Sequence, residues 1–213
     1  MVGWTVVPAV VAAVALGRWQ GLLLDAGRAV GPMAAAAERG EAVSPREAGV
    51  MLAGAAERLA GAVSVRPAHE PTGKALGRTL AVLATATGDA AVLERSVASA
   101  RALAVADGGA SAWGWLGSTA VGASETGLGS AEQRAEWRAE GLGAFETAAV
   151  LDPYGVTPAL RLMRAHEGVD AAAAARWAGE SLRRDGFTAL DPLVGLSDAD
   201  RRMAERLAGA DGG

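Results

Sequence analysis

The chain of 213 residues contains no cysteine, which excludes a disulfide framework and any thiolate metal site. Isoleucine is missing too, and aromatic residues make up only 4%. The β-branched and aromatic alternations that build strands therefore have little material to work with. Lysine occurs once, at Lys74, and the other basic residues are arginines scattered among the acidic ones. With 20 basic and 24 acidic residues the formal charge is −4, which leaves no basic stripe for a nucleic-acid backbone. The only histidines are His69 and His166, and neither stands in a metal-ligand spacing.

Alanine is what the chain has in plenty. It supplies much of the 51% hydrophobic fraction, and it combines the best helix propensity with no side-chain entropy to lose. The fold class read from this is all-α. The length suits one domain, or one domain with an appendage.

Local punctuation is clearest from Ser130 to Asp185. Ser130 followed by Gln133 is a capping-box pattern, and Trp137, Leu142, Phe145 and Ala149 recur at helical spacing. Asp152-Pro153 ends that helix, because the residue before a proline is pushed out of the α region. Thr157-Pro158 predicts a helix start and Gly168 a stop. Asp170 caps a third helix carrying Ala173, Ala174, Trp177 and Leu182.

Upstream, Ser44-Pro45-Arg46-Glu47 is a second capping box with proline in the first turn. It predicts a helix to about Ala62, with Met51, Leu52, Ala55 and Leu59 on one face. Arg66 to Pro71 reads as a turn, and Thr72 or Gly73 opens a helix striped by Leu76, Leu80 and Leu83. Gly88-Asp89 closes it and caps another, with Val92, Leu93, Val97 and Ala100, through about Ala104. Around Trp113-Gly114-Trp115 a short helix is expected to about Val121, then a loop from Gly122 to Gly129. Ser197 to Asp200 caps a last helix through Leu207, and residues 210–213 are expected to be a disordered tail.

The N-terminus is the one long apolar run. Residues 2–17 carry no charge, and Val2 to Leu24 reaches the roughly 20 residues a bilayer needs if Arg18 extends toward a headgroup region. Trp4 and Trp19 lie near its two ends, as an aromatic belt would place them. A transmembrane anchor over residues 2–24 is expected; a buried helix of the fold and a cleaved signal peptide are the alternatives. Arg18 and Arg28 would keep the following side cytoplasmic. A stalk bent at Gly31-Pro32 would follow. The resulting division is an anchor over residues 1–28, a first helical-hairpin region over 29–123, a repeat region over 124–209 and the tail.

The series Gly141, Phe145, Ala148, Ala149 and Asp152-Pro153, small residues with one aromatic and then Asp-Pro, resembles the helix-pair pattern of tetratricopeptide repeats. Asp185 follows Asp152 by 33 residues, close to that family's period of about 34. The family usually has proline where Gly186 stands. The resemblance implies a right-handed array of helical hairpins, a helical solenoid, that binds a protein or peptide. A second set of residues, Leu151-Asp152-Pro153-Tyr154, Arg176-Trp177-Ala178 and Leu190-Asp191-Pro192-Leu193, is similar to the C-terminal helical region of O-antigen ligase-like envelope proteins. That similarity implies an envelope location and a non-cytoplasmic helical domain beside polysaccharide machinery. Transfer chemistry in that family belongs to a multi-spanning domain, so no catalytic residue carries over.

Candidates for chemistry are few. His69 and Glu70 could act as a base or ligand in a proline-flanked turn, or simply be exposed there. His166 sits in a last helical turn, where a cation suits the helix dipole. Gly73-Lys74 lacks the rest of a phosphate loop, and Gly108-Gly109 and Gly127-Leu128-Gly129 lack a dinucleotide-binding order. Ser111, Ser118 and Ser124 lie outside a nucleophile elbow. Glu136, Glu140 and Glu146 interleave with Arg134 and Arg138 as a solvated helix face does. Trp113 and Trp115 could anchor a partner or stack on a sugar, core packing being the other role open to them. The functional expectation is a membrane-anchored scaffold or adaptor for a protein partner, with no cofactor and no catalysis. Its alternative is a soluble all-helical domain with an enzymatic or ligand-binding site.

Overall fold

The computed structural model describes residues 6–39, 44–187 and 195–209, and every extended regular element among them is an α-helix. The helices are α1 (Val6–Glu38), α2 (Pro45–Val65), α3 (Glu70–Thr87), α4 (Ala90–Asp107), α5 (Ala110–Glu125), α6 (Ala131–Leu151), α7 (Val156–His166), α8 (Ala171–Asp185) and α9 (Asp198–Gly209). Two compact units result, one holding α1 to α4 and the other α5 to α9. The division at Asp107–Gly108 places α5 with the later helices, whereas the sequence pattern groups it with the earlier ones. Residues 210–213, expected to be a tail, lie outside the described residues, as do Leu190 to Leu193.

Helix ends follow side-chain chemistry. Ser44 and Glu47 form the reciprocal capping box of α2, Ser130 Oγ accepts from Gln133 N–H at α6, and Asp170 accepts from Ala173 N–H at α8. Each fills one of the backbone donors a helix start leaves open. Asp152 is the C-cap of α6. Its carboxylate accepts from Gly155 N–H at 2.8 Å, closing the turn into α7. Gly168, at φ +73°, adopts the left-handed conformation after α7 that glycine reaches without strain.

Several boundaries move. Glycine N-caps α7 at Gly155 without a side-chain bond, so Pro158 lies inside the first turn instead of opening the helix. α3 starts at Glu70, because His69 is its N-cap and accepts from Thr72 N–H. α5 runs to Glu125 instead of fading near Val121. α1 continues through Gly31-Pro32, although proline removes one amide donor from the ladder.

In the first unit, consecutive helices pack on one another, α1 on α2, α2 on α3 and α3 on α4. Ala26, Ala56, Leu59, Leu76 and Leu80 form a shared core, with Leu23 and Val63 against it. Small residues bring α3 and α4 close: Ser96 Oγ donates to Gly77 O at 2.8 Å, and Gly73 faces the Leu103 side chain. The rear part of the apolar N-terminal run belongs to this core. Leu22 lies against Gly61, and the Trp19 ring meets His69 edge-on at 4.7 Å. Residues 1–5 lie outside the described residues. Among the described residues, one segment, Arg46–Val65 in α2, has the length and apolarity to cross a membrane. Packing against both α1 and α3 gives that apolarity another use.

In the second unit α5 and α6 approach through glycine. A Cβ on Gly141 would lie 2.9 Å from Gly117 O and from Val121 N, both backbone atoms. Phe145, 3% exposed, fills the space above Gly117, and Ala149, Leu162 and Trp177 extend the cluster. α7 contacts both α5 and α6. α8 and α9 close the unit around Met163, Ala178 and Ala204.

Candidate functional site

Two concavities in the second unit each bring together polar side chains from neighbouring helices. The larger, about 560 Å³, is lined by Glu146, Ala149 and Val150 of α6 and by Arg176, Trp177, Glu180 and Arg184 of α8. Spacings of three and four residues place each set on one helical face.

Arg184 organises this groove from within. It is buried, and its guanidinium donates to Ala149 O at 3.2 Å, Asp152 O at 2.8 Å and Gly155 O at 2.9 Å. The final carbonyls of a helix have no partner within it, so α8 completes the end of α6. Arg184 Nε also donates to Glu180 Oε1 at 2.7 Å. Arg183 grips the same carboxylate with two bonds of 2.7 Å. Hydrogen bonding from Arg183 is the largest cause lowering the Glu180 pKa to about 2; burial opposes it and Arg184 adds to it.

Charges at this groove are therefore largely engaged with one another. Arg176 stacks on Trp177 at 4.8 Å and lies 3.9 Å from Glu146. Apolar surface remains open alongside: Val150 is 79% exposed, and Tyr154 and Phe187 are exposed as well. The last two meet edge-on at 5.9 Å.

The smaller concavity, about 220 Å³, is lined by Ser118, Val121, Gly122 and Glu125 of α5, Phe145 of α6, and Arg161, Arg164 and Ala165 of α7. Arg161 Nη1 donates to Gly114 O and to Ser118 Oγ, both at 2.7 Å, while its Cζ lies 5.8 Å from the Phe145 ring centre. Burial pulls its pKa below the ordinary arginine value, yet a guanidinium stays charged at neutral pH. Arg164 pairs with Asp200, and Arg138 reaches Ala165 O and Glu125.

The residues singled out by the sequence are not brought together. Trp113 and Trp115 are half-buried, and two residues apart on α5 they point to opposite sides. Neither lines the two concavities. His69 Nδ1 takes part in the α3 cap, 2.7 Å from Thr72 Oγ1, and Glu70 pairs with Lys74. The proline-flanked turn is thus a helix start with an assigned purpose for both side chains. His166 ends α7 and is half-buried. Arg138, read as part of a solvated face, reaches across to α7. Among the described residues, no group of three or more histidines and carboxylates could hold a metal ion.

Sequence reasoning missed Arg161 and Arg184. Both look like ordinary polar positions on amphipathic helices. Their carbonyl partners lie 29 to 47 residues away, which no local pattern encodes. Comparison of the chain with protein-family profiles, curated proteins and solved structures gives no match.

Proposed function

We propose that the chain is a scaffold built as a tetratricopeptide-like helical array, which docks a protein or peptide partner and works without catalysis. The observation that carries this reading is the glycine-mediated contact of α5 and α6 with Phe145 lodged above Gly117. Its residues follow the spacing of that repeat. Trp113-x-x-Leu116-Gly117 supplies the first-helix pattern, and Gly141-x-x-x-Phe145 followed by Pro153 supplies the second, with small residues where backbones meet. Contact of α7 with both preceding helices supports the same reading, since each unit of such an array buries its apolar face against the next. α9, with Asp198, Asp200 and Arg206 in its end turns, has the polar character of a terminal cap.

Docking is favoured by the open apolar residues Val150, Tyr154 and Phe187 beside the α6–α8 groove. Aromatic residues in such positions offer large contact area at low entropic cost. A photocrosslinking residue at Val150 of the full chain, introduced in the native cell, tests this. A discrete adduct is expected there, and a crosslinker at exposed Glu57 is the control. Equal labelling at the two positions would remove the docking reading.

Attachment to a membrane through residues 2–24, in an envelope setting, is the second part of the proposal. Packing of Trp19, Leu22, Leu23 and Ala26 within the first unit favours a second reading, in which α1 is a structural helix of the body. Fractionation of the full chain beside a version beginning at Gly40 separates them. Loss of membrane association with the segment supports the anchor. Soluble behaviour of the full chain supports the structural helix.

A further inference from the structure

We infer that the concavity between α5, α6 and α7 is a binding site for a single carboxylate group, presented by an acidic side chain of a peptide partner and held by Arg161. This rests on the docking reading above for its source, and on geometry alone for the anion site.

Arg161 is unlike most arginines near it. Arg184 has Glu180, Arg164 has Asp200, and Arg138 faces Glu125. Arg161 has no carboxylate partner among the described residues. Its bonds run from Nη1 to Gly114 O and Ser118 Oγ, which leaves Nη2 and Nε as donors for something else. Five N–H groups in a rigid plane suit a carboxylate, which accepts two of them side by side.

Burial makes that arrangement costly. Desolvation already lowers the Arg161 pKa, and a partly buried charge without a counter-ion forgoes the attraction that would offset its lost hydration. An arriving anion recovers that energy, more strongly than it would at a fully exposed arginine. The guanidinium is also fixed in place. Two hydrogen bonds hold one end, and the Phe145 ring lies 5.8 Å from its centre.

Lining chemistry selects the charge and the stem of the ligand. Arg164 lines the site but is paired with Asp200, and Glu125 at the rim is offset by Arg138, which leaves the charge of Arg161. The excess is about one positive charge, which suits a carboxylate better than a dianionic phosphate. Val121, Phe145 and Ala165 give an apolar wall for a short aliphatic stem. The volume of about 220 Å³ admits a side chain and excludes a folded element.

The full chain, with arginine Nε and Nη labelled for NMR, is titrated at low salt with three probes. These are sodium propionate, inorganic phosphate, and the terminally blocked peptide Ala-Ala-Glu-Ala-Ala beside its Gln counterpart. The Arg161 resonances are expected to shift with propionate and with the Glu peptide, at least tenfold more weakly with phosphate, and not with the Gln peptide. Arg161→Gln should weaken Glu-peptide binding at least tenfold. Arg202→Gln, removing an exposed charge on α9, should leave it within twofold. A propionate response without a Glu-peptide response keeps the anion site and overturns the peptide as its source, whatever becomes of docking at α6–α8. Silence of Arg161 toward all probes, or equal response to both peptides, overturns the site itself. Because the wild-type resonances are read directly, the outcome does not depend on any variant folding.

Discussion

A Cβ placed on Gly117 would lie 2.4 Å from Cδ1 of Phe145, so the α5 backbone rests directly against the phenyl ring. On the other side of the same interface, a Cβ on Gly141 would meet backbone atoms of Gly117 and Val121. Rings can tilt, but backbone has little room to yield. Gly141→Ala should therefore destabilise by about 1–3 kcal/mol through overpacking, more than the roughly 1 kcal/mol gained in helix propensity. At Gly143 nothing lies within 4 Å of the place a methyl group would take. Gly143→Ala should stabilise by about 0.5–1 kcal/mol. Urea unfolding of the two variants checks both signs, and equal stabilisation would contradict the close approach.

Arg184→Met should cost about 3 kcal/mol, since it strands carbonyls that a charged donor now satisfies. Arg184→Lys should not restore the loss, because an ammonium group cannot span Ala149, Asp152 and Gly155 as a planar fork does. Arg183→Met, at an exposed position, should change stability much less. Chemical denaturation of the three variants measures this.

Glu180 should titrate far below the ordinary carboxylate range, near 2. A folded pKa below the unfolded one means that the stabilisation is complete above about pH 4.5 and fades as pH falls toward 2. Side-chain carbonyl NMR gives the midpoint. Arg183→Ala should raise it, because the hydrogen bond from Arg183 is the largest cause of the depression.

His69→Ala should lower stability by about 1 kcal/mol through loss of an N-cap, whereas His69→Asn should retain most of it. Thermal melting distinguishes the cap from a chemical role. A cap variant that left stability untouched would argue against the assignment.

Local signals carried much of the fold. Ser44, Ser130, Asp170 and Asp152-Pro153 act within a turn of their own position, and all four mark boundaries the structure keeps. Tertiary contacts overrode them elsewhere. The helix expected to fade near Val121 runs on to Glu125; Gly114 and Gly117 are buried within it, and Phe145 occupies the space a side chain on Gly117 would take. The Trp113-x-x-Leu116-Gly117 spacing was the signal that could have extended that helix. His69 was legible as a turn residue and not as a cap, because an imidazole acceptor is rare at that position. The two concavities were not legible at all. Arg161 and Arg184 take their places through carbonyl oxygens distant in the chain.

Gly141 has Trp137 one turn before it and Phe145 one turn after. If α6 slid along α5 by a single turn in either direction, an indole or a phenyl ring would be driven into the space between backbones. The pair therefore has one axial setting, like a key cut for one notch. Any rearrangement in this unit must separate the two helices or tilt them, since gliding is blocked at both ends.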